Sequence, residues 1–251
     1  MRVRLDAAMV KRGLVTSRTE ACSLIEDHQV TVGGVIAEKA SRLVAGSEPI
    51  EILRPRRFVS RGGEKLEGGI AHFGVRVEGR SVMDAGASTG GFTDCLLSHG
   101  VSRVFAVDVG RNQLHERISS DTRVVSREQT NVRDMEAGAL PFPVSLVVAD
   151  LSFISLTTVL PALSGLVRPE EGFPEAEMLL LVKPQFEVGR VDASRGRGVI
   201  SDPTLHASAV ERVENEARRL GWAVVGAMES PLKGQDGNTE FLLHLSRPVR
   251  P

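Results

Sequence analysis

The stretch Val82-Met83-Asp84-Ala85-Gly86-Ala87-Ser88-Thr89-Gly90-Gly91-Phe92-Thr93 runs from apolar residues through an acid into a glycine-rich turn. That order reads as strand, loop and helix start. Glycines let a backbone turn sharply and approach a ligand closely, and a helix N-terminus favours negative charge. The spacing is Gly-x-x-x-Gly-Gly, not the Gly-x-Gly-x-x-Gly that cradles a dinucleotide pyrophosphate. Asp108 ends the next apolar run, where a carboxylate can accept from both hydroxyls of a ribose. Together they suit a ligand with an amino-acid end and a nucleoside end, which describes S-adenosylmethionine; the plainer alternative is a tight strand–helix turn with no ligand. The candidate cofactor residues are Asp84, Gly86, Ser88, Thr89, Gly90, Gly91, Phe92 and Asp108, with Asn131 and Asp150.

Lysine offers a second kind of chemistry. Only five of the 31 basic residues are Lys, namely Lys11, Lys39, Lys65, Lys183 and Lys233. A preference for Arg codons explains most of that bias. Even so, an ammonium can be pushed toward neutrality and a guanidinium cannot, so each retained lysine is worth placing. Lys183 closes the apolar run Met178–Val182, and Asp150 closes Val147–Ala149.

These residues need elements to position them. From about residue 64 the pattern alternates strand and helix, which predicts a parallel sheet covered by helices. The expected strands are Ser81–Asp84, Arg103–Asp108, Arg123–Ser126, Ser145–Asp150, Met178–Lys183, Trp222–Ala227 and Glu240–Leu245. Asp202-Pro203 is a cap and first-turn pair for a helix reaching Leu220, with Gly221 beyond it. In this layout Asp150 and Lys183 both lie at the carboxyl edge, where open α/β sheets bind ligands. The link from Met228 to Thr239 is too short for a crossover helix, so the last strand runs antiparallel and brings Glu240 back to the same edge.

The first 58 residues read as a small unit of two helices and a hairpin. Leu5, Ala8 and Met9 share one helical face, Ser17 and Glu20 form a capping-box pattern, and Gly33-Gly34 makes a tight turn between short strands. Pro49–Leu53 reads as a third strand and 59–63, within an Arg- and Gly-rich stretch, as a linker to a domain spanning 64–251. This front carries ten basic against seven acidic residues, a net +3, while the remainder carries −4 of the overall −1. A basic front on an acidic body points to an anionic partner.

Composition narrows the classes further. With 41% hydrophobic and 25% charged residues the chain is globular, and its longest apolar run falls far short of the roughly 20 residues a membrane span needs. The charged N-terminus lacks an apolar segment, which predicts a cytoplasmic protein. Cys22 and Cys95 lie far apart and next to no histidine in the sequence, so neither a disulfide scaffold nor a Cys-based metal site is expected.

Four motifs carry a family resemblance: Asp84–Thr93, Ala149–Ser155, Leu181–Glu187 and Gly237–Leu243. With them the chain resembles the TlyA family of ribosomal-RNA 2′-O-methyltransferases, often labelled hemolysins. Arg4-Leu5-Asp6, Ser17-Arg18, Leu24-Ile25 and Val30–Gly34 resemble an S4-type RNA-binding domain, and the body is similar to the Rossmann-like FtsJ methyltransferases. The resemblance implies S-adenosylmethionine as cofactor and a catalytic tetrad at Lys65, Asp150, Lys183 and Glu240. Lys65 enters through the resemblance alone. It also implies a cytidine ribose in small- or large-subunit ribosomal RNA as target, reached through Arg4, Lys11, Arg12, Arg18 and Lys39. No metal and no membrane are expected from the residues themselves, and the oligomeric state is left open, a monomer being sufficient. The competing readings are an RNA-binding assembly factor that keeps the pocket without catalysis, a membrane-active hemolysin, and a small-molecule O-methyltransferase.

Overall fold

A computed structural model describes residues 2–26, 28–53, 57–189, 198–234 and 236–248. The chain divides into two compact units, Met1–Arg57 and Phe58–Pro251.

In the first unit, β1 (Arg2–Arg4) leads into α1 (Leu5–Lys11), followed by α2 (Arg18–Glu26), β2 (Val30–Val32), β3 (Val35–Ile36), β4 (Leu43–Ala45) and β5 (Ile50–Ile52). The expected hairpin forms: β2 pairs antiparallel with β3 through Gly33 and Gly34, both at positive φ, and β5 flanks β2 on its other side. Leu5, Met9, Leu24, Ile25, Val30 and Val44 form a core of this unit's own. Ser17 Oγ accepts from the Glu20 N–H (3.1 Å) as the capping box requires. The Glu20 carboxylate, however, turns back to the N–H and hydroxyl of Thr16 (2.8 Å each), one residue earlier than expected. β1 also pairs antiparallel with β4, Arg2 lying opposite Ala45, a pairing between distant segments that no turn signal in the sequence announces.

The second unit is built on a seven-stranded sheet. Its elements are α3 (Gly62–Phe73), β6 (Ser81–Ala85), α4 (Gly91–Ser98), β7 (Arg103–Val107), α5 (Glu116–Ser119), β8 (Val124–Arg127), β9 (Leu146–Ala149), α6 (Leu156–Leu166), β10 (Glu175–Val182), α7 (Pro184–Glu187), α8 (Pro203–Arg219), β11 (Ala223–Glu229) and β12 (Phe241–Pro248). The strand order is β11-β12-β10-β9-β6-β7-β8, parallel from β8 to β10, with β12 inserted antiparallel between β10 and β11. The expected Rossmann-like sheet with an antiparallel last strand is what forms. Residues alternate between the two faces: Met83, Phe105, Val147 and Leu180 pack toward α6 and α8, while Val82, Val104, Val148 and Leu179 pack toward α3 and α4. Both faces are covered, which is why these strands read as unbroken apolar runs. At α8, Asp202 Oδ1 accepts from the Thr204 N–H (2.8 Å) and Gly221 follows at φ +83°, as the cap and stop signals require.

The expected linker at 59–63 is not a free connector. Phe58 is buried in the second unit's core, the Val59 N–H donates to Asp94 Oδ2 (2.7 Å), and α3 already begins at Gly62. The unit boundary therefore falls after Arg57, and Gly63 is glycine because a Cβ there would collide with the Phe58 ring. Among the described residues, no helix is long and apolar enough to cross a membrane.

Candidate active site

The glycine-rich loop between β6 and α4 is tied to its neighbours by backbone contacts that leave no room for side chains. Gly86 stands at φ +86°, and a Cβ on it would run into the Asp150 carbonyl at the end of β9. The N–H groups of Gly86 (2.8 Å) and Ala87 (3.1 Å) both donate to the Val107 carbonyl at the end of β7. The loop is thereby pinned between two strand ends. Asp108 accepts from Ser88 N–H (2.8 Å) and Gly110 N–H (2.7 Å), one on each carboxylate oxygen.

Above these strand ends opens a cavity of about 510 Å³. Of the cofactor candidates, Gly86, Ser88, Asp108, Asn131 and Asp150 line it, joined by Gln113, Thr130 and residues 151–154. Asp84, Thr89, Gly90, Gly91 and Phe92 do not line it; they build the turn beneath. Phe92 is core, and Gly91 faces Ser60 so closely that a Cβ would displace it. Asp84 is fully buried, accepting from the Thr93 hydroxyl (2.6 Å) through Oδ2, while Oδ1 has no partner. Burial raises its carboxyl to about 7, against the lowering effect of the Thr93 hydroxyl.

The four lysine and acid candidates converge. Asp150 and Lys183 end neighbouring parallel strands, and Lys183 Nζ lies 2.6 Å from Asp150 Oδ1. In the ladder Phe241 faces Val182, so Glu240 arrives beside Lys183 on the same rim. Lys65, closing the first turn of α3, forms an ion pair with Glu240, both side chains being buried. Glycine brings Lys65 there: at Gly69 a Cβ would crowd Leu242 and Leu179, so α3 lies close on the sheet. Removing one partner of such a buried pair leaves an uncompensated charge, at a cost of about 3–5 kcal/mol.

Some of the site was not foreseen. The Lys183 ammonium also donates to Ser152 Oγ (2.8 Å). Phe153 is 92% exposed at φ +64°, with its ring 5.4 Å from that of Phe186. Left-handed backbone at a non-glycine residue costs about 1–3 kcal/mol and persists only where surroundings over-determine it. Ser88, Asn112, Gln129 and Phe153 all adopt it, one in each loop after β6, β7, β8 and β9. Sequence alone signals Ser152 only weakly, as a hydroxyl two residues past a strand-ending acid.

In the first unit Arg4 and Arg18 converge on one buried acid, Asp6, at 2.9 and 2.7 Å. Hydrogen bonds from Arg4 first, and from Arg18, hold the Asp6 carboxyl well below the usual carboxylate range. Backbone bonds from Leu5 to Arg42 (2.7 Å) and from Asp6 to Ala40 (3.3 Å) bring the Lys39 segment to the same end. Lys11 is exposed. Arg12 differs from the rest: its guanidinium donates to the carbonyls of Ala45, Gly46 and Glu48, and so clamps the turn after β4.

A glycine-rich loop after the central strand, an acid ending the next and a cavity across their carboxyl ends define a Rossmann-like enzyme fold for a nucleoside cofactor. Within that class, the chain belongs to the FtsJ-like methyltransferase family, whose model matches residues 58–247, and it carries an S4 domain at residues 3–50. It is 46% identical to the 16S/23S rRNA (cytidine-2′-O)-methyltransferase TlyA of Mycobacterium tuberculosis, over 97% of this chain and 90% of that protein. It is 38% identical to Hemolysin A of Brachyspira hyodysenteriae, over 96% of this chain and 99% of that one. A solved structure from Streptococcus thermophilus bearing the hemolysin name aligns with a TM-score of 0.77 at 37% identity, covering 100% of this chain and 90% of the other. An S-adenosylmethionine-dependent methyltransferase from Mesorhizobium loti shares the fold at 16% identity, with a TM-score of 0.52 over 73% of this chain and 98% of its own.

Proposed function

We propose that this chain methylates the 2′-hydroxyl of a cytidine ribose in ribosomal RNA, with S-adenosylmethionine as donor. The observation that carries the reading is the gathering of two lysine–acid pairs, Lys183–Asp150 and Lys65–Glu240, at the carboxyl edge of one sheet, where Asp150 also lines the cavity. The relatives named as rRNA (cytidine-2′-O)-methyltransferases support the substrate.

The cavity's chemistry suits the donor. Gly86 leaves bare backbone where a Cβ would close the gap, and each Asp108 oxygen retains a lone pair beyond the N–H it accepts. In this reading Gly86, Ser88 and Asp150 face the amino-acid and sulfonium end, and Asp108 and Asn131 face the ribose. Bound there, S-adenosylmethionine supplies a methyl carbon already activated for displacement.

The protein's task is then alignment and proton handling. Lys183 Nζ is held from two sides, by its ion pair with Asp150 Oδ1 and its hydrogen bond to Ser152 Oγ, so a hydrogen is left for the ribose hydroxyl. Its ammonium would orient the attacking oxygen and ease loss of the hydroxyl proton to water as the new O–C bond forms and the donor's S–C bond breaks, while Asp150 holds the ammonium in place. Lys65 and Glu240 shape the neighbouring charge as a locked pair. In the front unit Arg4 and Arg18, splayed from Asp6, together with Lys39 and Lys11, would meet RNA phosphates. Ribosomal substrate places this work in the cytoplasm.

The test is incubation with labelled S-adenosylmethionine and unmodified 30S or 50S subunits, followed by primer extension. Label in ribosomal RNA with a stop at a cytidine 2′-O-methyl is the expected result. Label absent from both subunits would overturn the reading.

A further inference from the structure

Two of the sequence motifs end on residues that the proposed chemistry leaves unused. The first, Ala149–Ser155, opens its polar residues with Asp150, and the second, Leu181–Glu187, opens its own with Lys183. Their leading residues pair at the rim, Asp150 with Lys183. Their trailing residues pair as well. Glu187 is buried, its Oε2 accepts from the Ser155 hydroxyl (2.5 Å), and its Oε1 accepts from the Leu156 N–H (2.7 Å). Ser155 is the cap of α6, accepting from the Thr157 N–H (3.2 Å), so the carboxylate also faces the positive end of that helix. The Glu187 carbonyl is held in turn by Arg212 of α8 (3.2 Å).

The segment between these two anchors contains Ser152 and the left-handed Phe153. A bend of that kind relaxes unless both ends are fixed. Its near end is fixed by Lys183, through Asp150 and Ser152, and its far end by Glu187. Pro184, at the first position of α7, sets the direction in which Glu187 departs from Lys183.

We propose that Glu187 is a positioning residue for the Lys183–Asp150 pair, acting by bracing loop 150–155 through Ser155 and Leu156. It touches neither donor nor RNA. The inference rests on the methyl-transfer reading for its catalytic consequence, though not for the brace itself. Burial raises the Glu187 carboxyl, against its hydrogen bonds from Ser155 and Leu156, in keeping with an acid kept inside for its contacts.

Two measurements on the full chain test it. In Glu187→Ala, hydrogen exchange of the 151–156 amides should quicken about ten-fold or more while that of Val82–Ala85 stays unchanged, as local opening without global unfolding requires. Turnover on ribosomal subunits should fall about ten- to hundred-fold, with KM for donor and RNA held within about two-fold, the pattern of lost alignment. Glu187→Gln keeps a carbonyl for the Leu156 N–H and an amide that can meet Ser155, and it should recover most of the turnover. Unchanged exchange in 151–156, or a loss carried by KM, would overturn the proposal. Should Glu187→Ala fail to fold, Ser155→Ala reads the same two quantities with the acid left in place. A wild-type protein that methylates neither subunit sinks the methyl-transfer reading, and the exchange measurement then decides the brace alone.

Discussion

Asp84 and Lys183 show how burial divides the ionisable groups of this site. Asp84 is enclosed, and burial outweighs the hydrogen bonds from Thr93, so its carboxyl rises to about 7, from 3.8 when unfolded. A raised acid binds its proton more tightly folded than unfolded, so between those values the folded state holds more protons and stability falls as pH rises. Between pH 4 and 8 the ligand-free protein should lose up to roughly 4 kcal/mol through this group. Urea unfolding of the wild type and Asp84→Asn across that range checks it: the asparagine variant should lack this slope, and identical slopes would refute the effect. At Lys183 the requirement is a compact ammonium between Asp150 and Ser152. Arg presents a broad, permanently charged fork. Lys183→Arg is therefore expected to bind RNA normally and to lose about a hundred-fold or more in turnover, read by filter binding beside the labelled-methyl assay.

At the scale of elements, the site depends on strand ends and helices approaching more closely than side chains ordinarily permit. Gly86 lets the loop after β6 press on the Asp150 carbonyl, and Gly69 lets α3 lie against β12 so that Lys65 reaches Glu240. Gly86→Ala meets both an occupied space and a φ of +86°. It should destabilise the protein by about 1–3 kcal/mol and weaken donor binding about ten-fold or more, measured by thermal unfolding and calorimetric titration. Unaltered donor affinity would show that the cavity tolerates a displaced Asp150. The same paired approach explains why the linker expected at 59–63 folded into the second unit. Phe58 and Ser60 fill the hollows left by Gly63 and Gly91, a complementarity between distant residues that local composition does not display.

At the scale of the molecule, each unit has a core of its own, the first around Leu5, Met9 and Ile25 and the second on both faces of the sheet. Removal of residues 1–57 should leave donor binding intact while methylation of intact subunits is lost, because the arginines gathered on Asp6 go with it. Calorimetry and the subunit assay on the truncated chain check this, and normal modification of subunits would assign the RNA contacts elsewhere. The sequence by itself determined the two-unit layout, the parallel sheet, the antiparallel return of Glu240 and the glycine loop, since apolar period, turn residues and connection length act over a few neighbours. Only the tertiary structure decided that Lys65 meets Glu240, that Ser155 meets Glu187, that Arg12 clamps a turn, and that Asp84 lies beneath the cavity and not in its wall. Those outcomes depend on how closely whole elements pack across tens to hundreds of residues, and packing distance is a property of the assembled interior that no local stretch of chain carries.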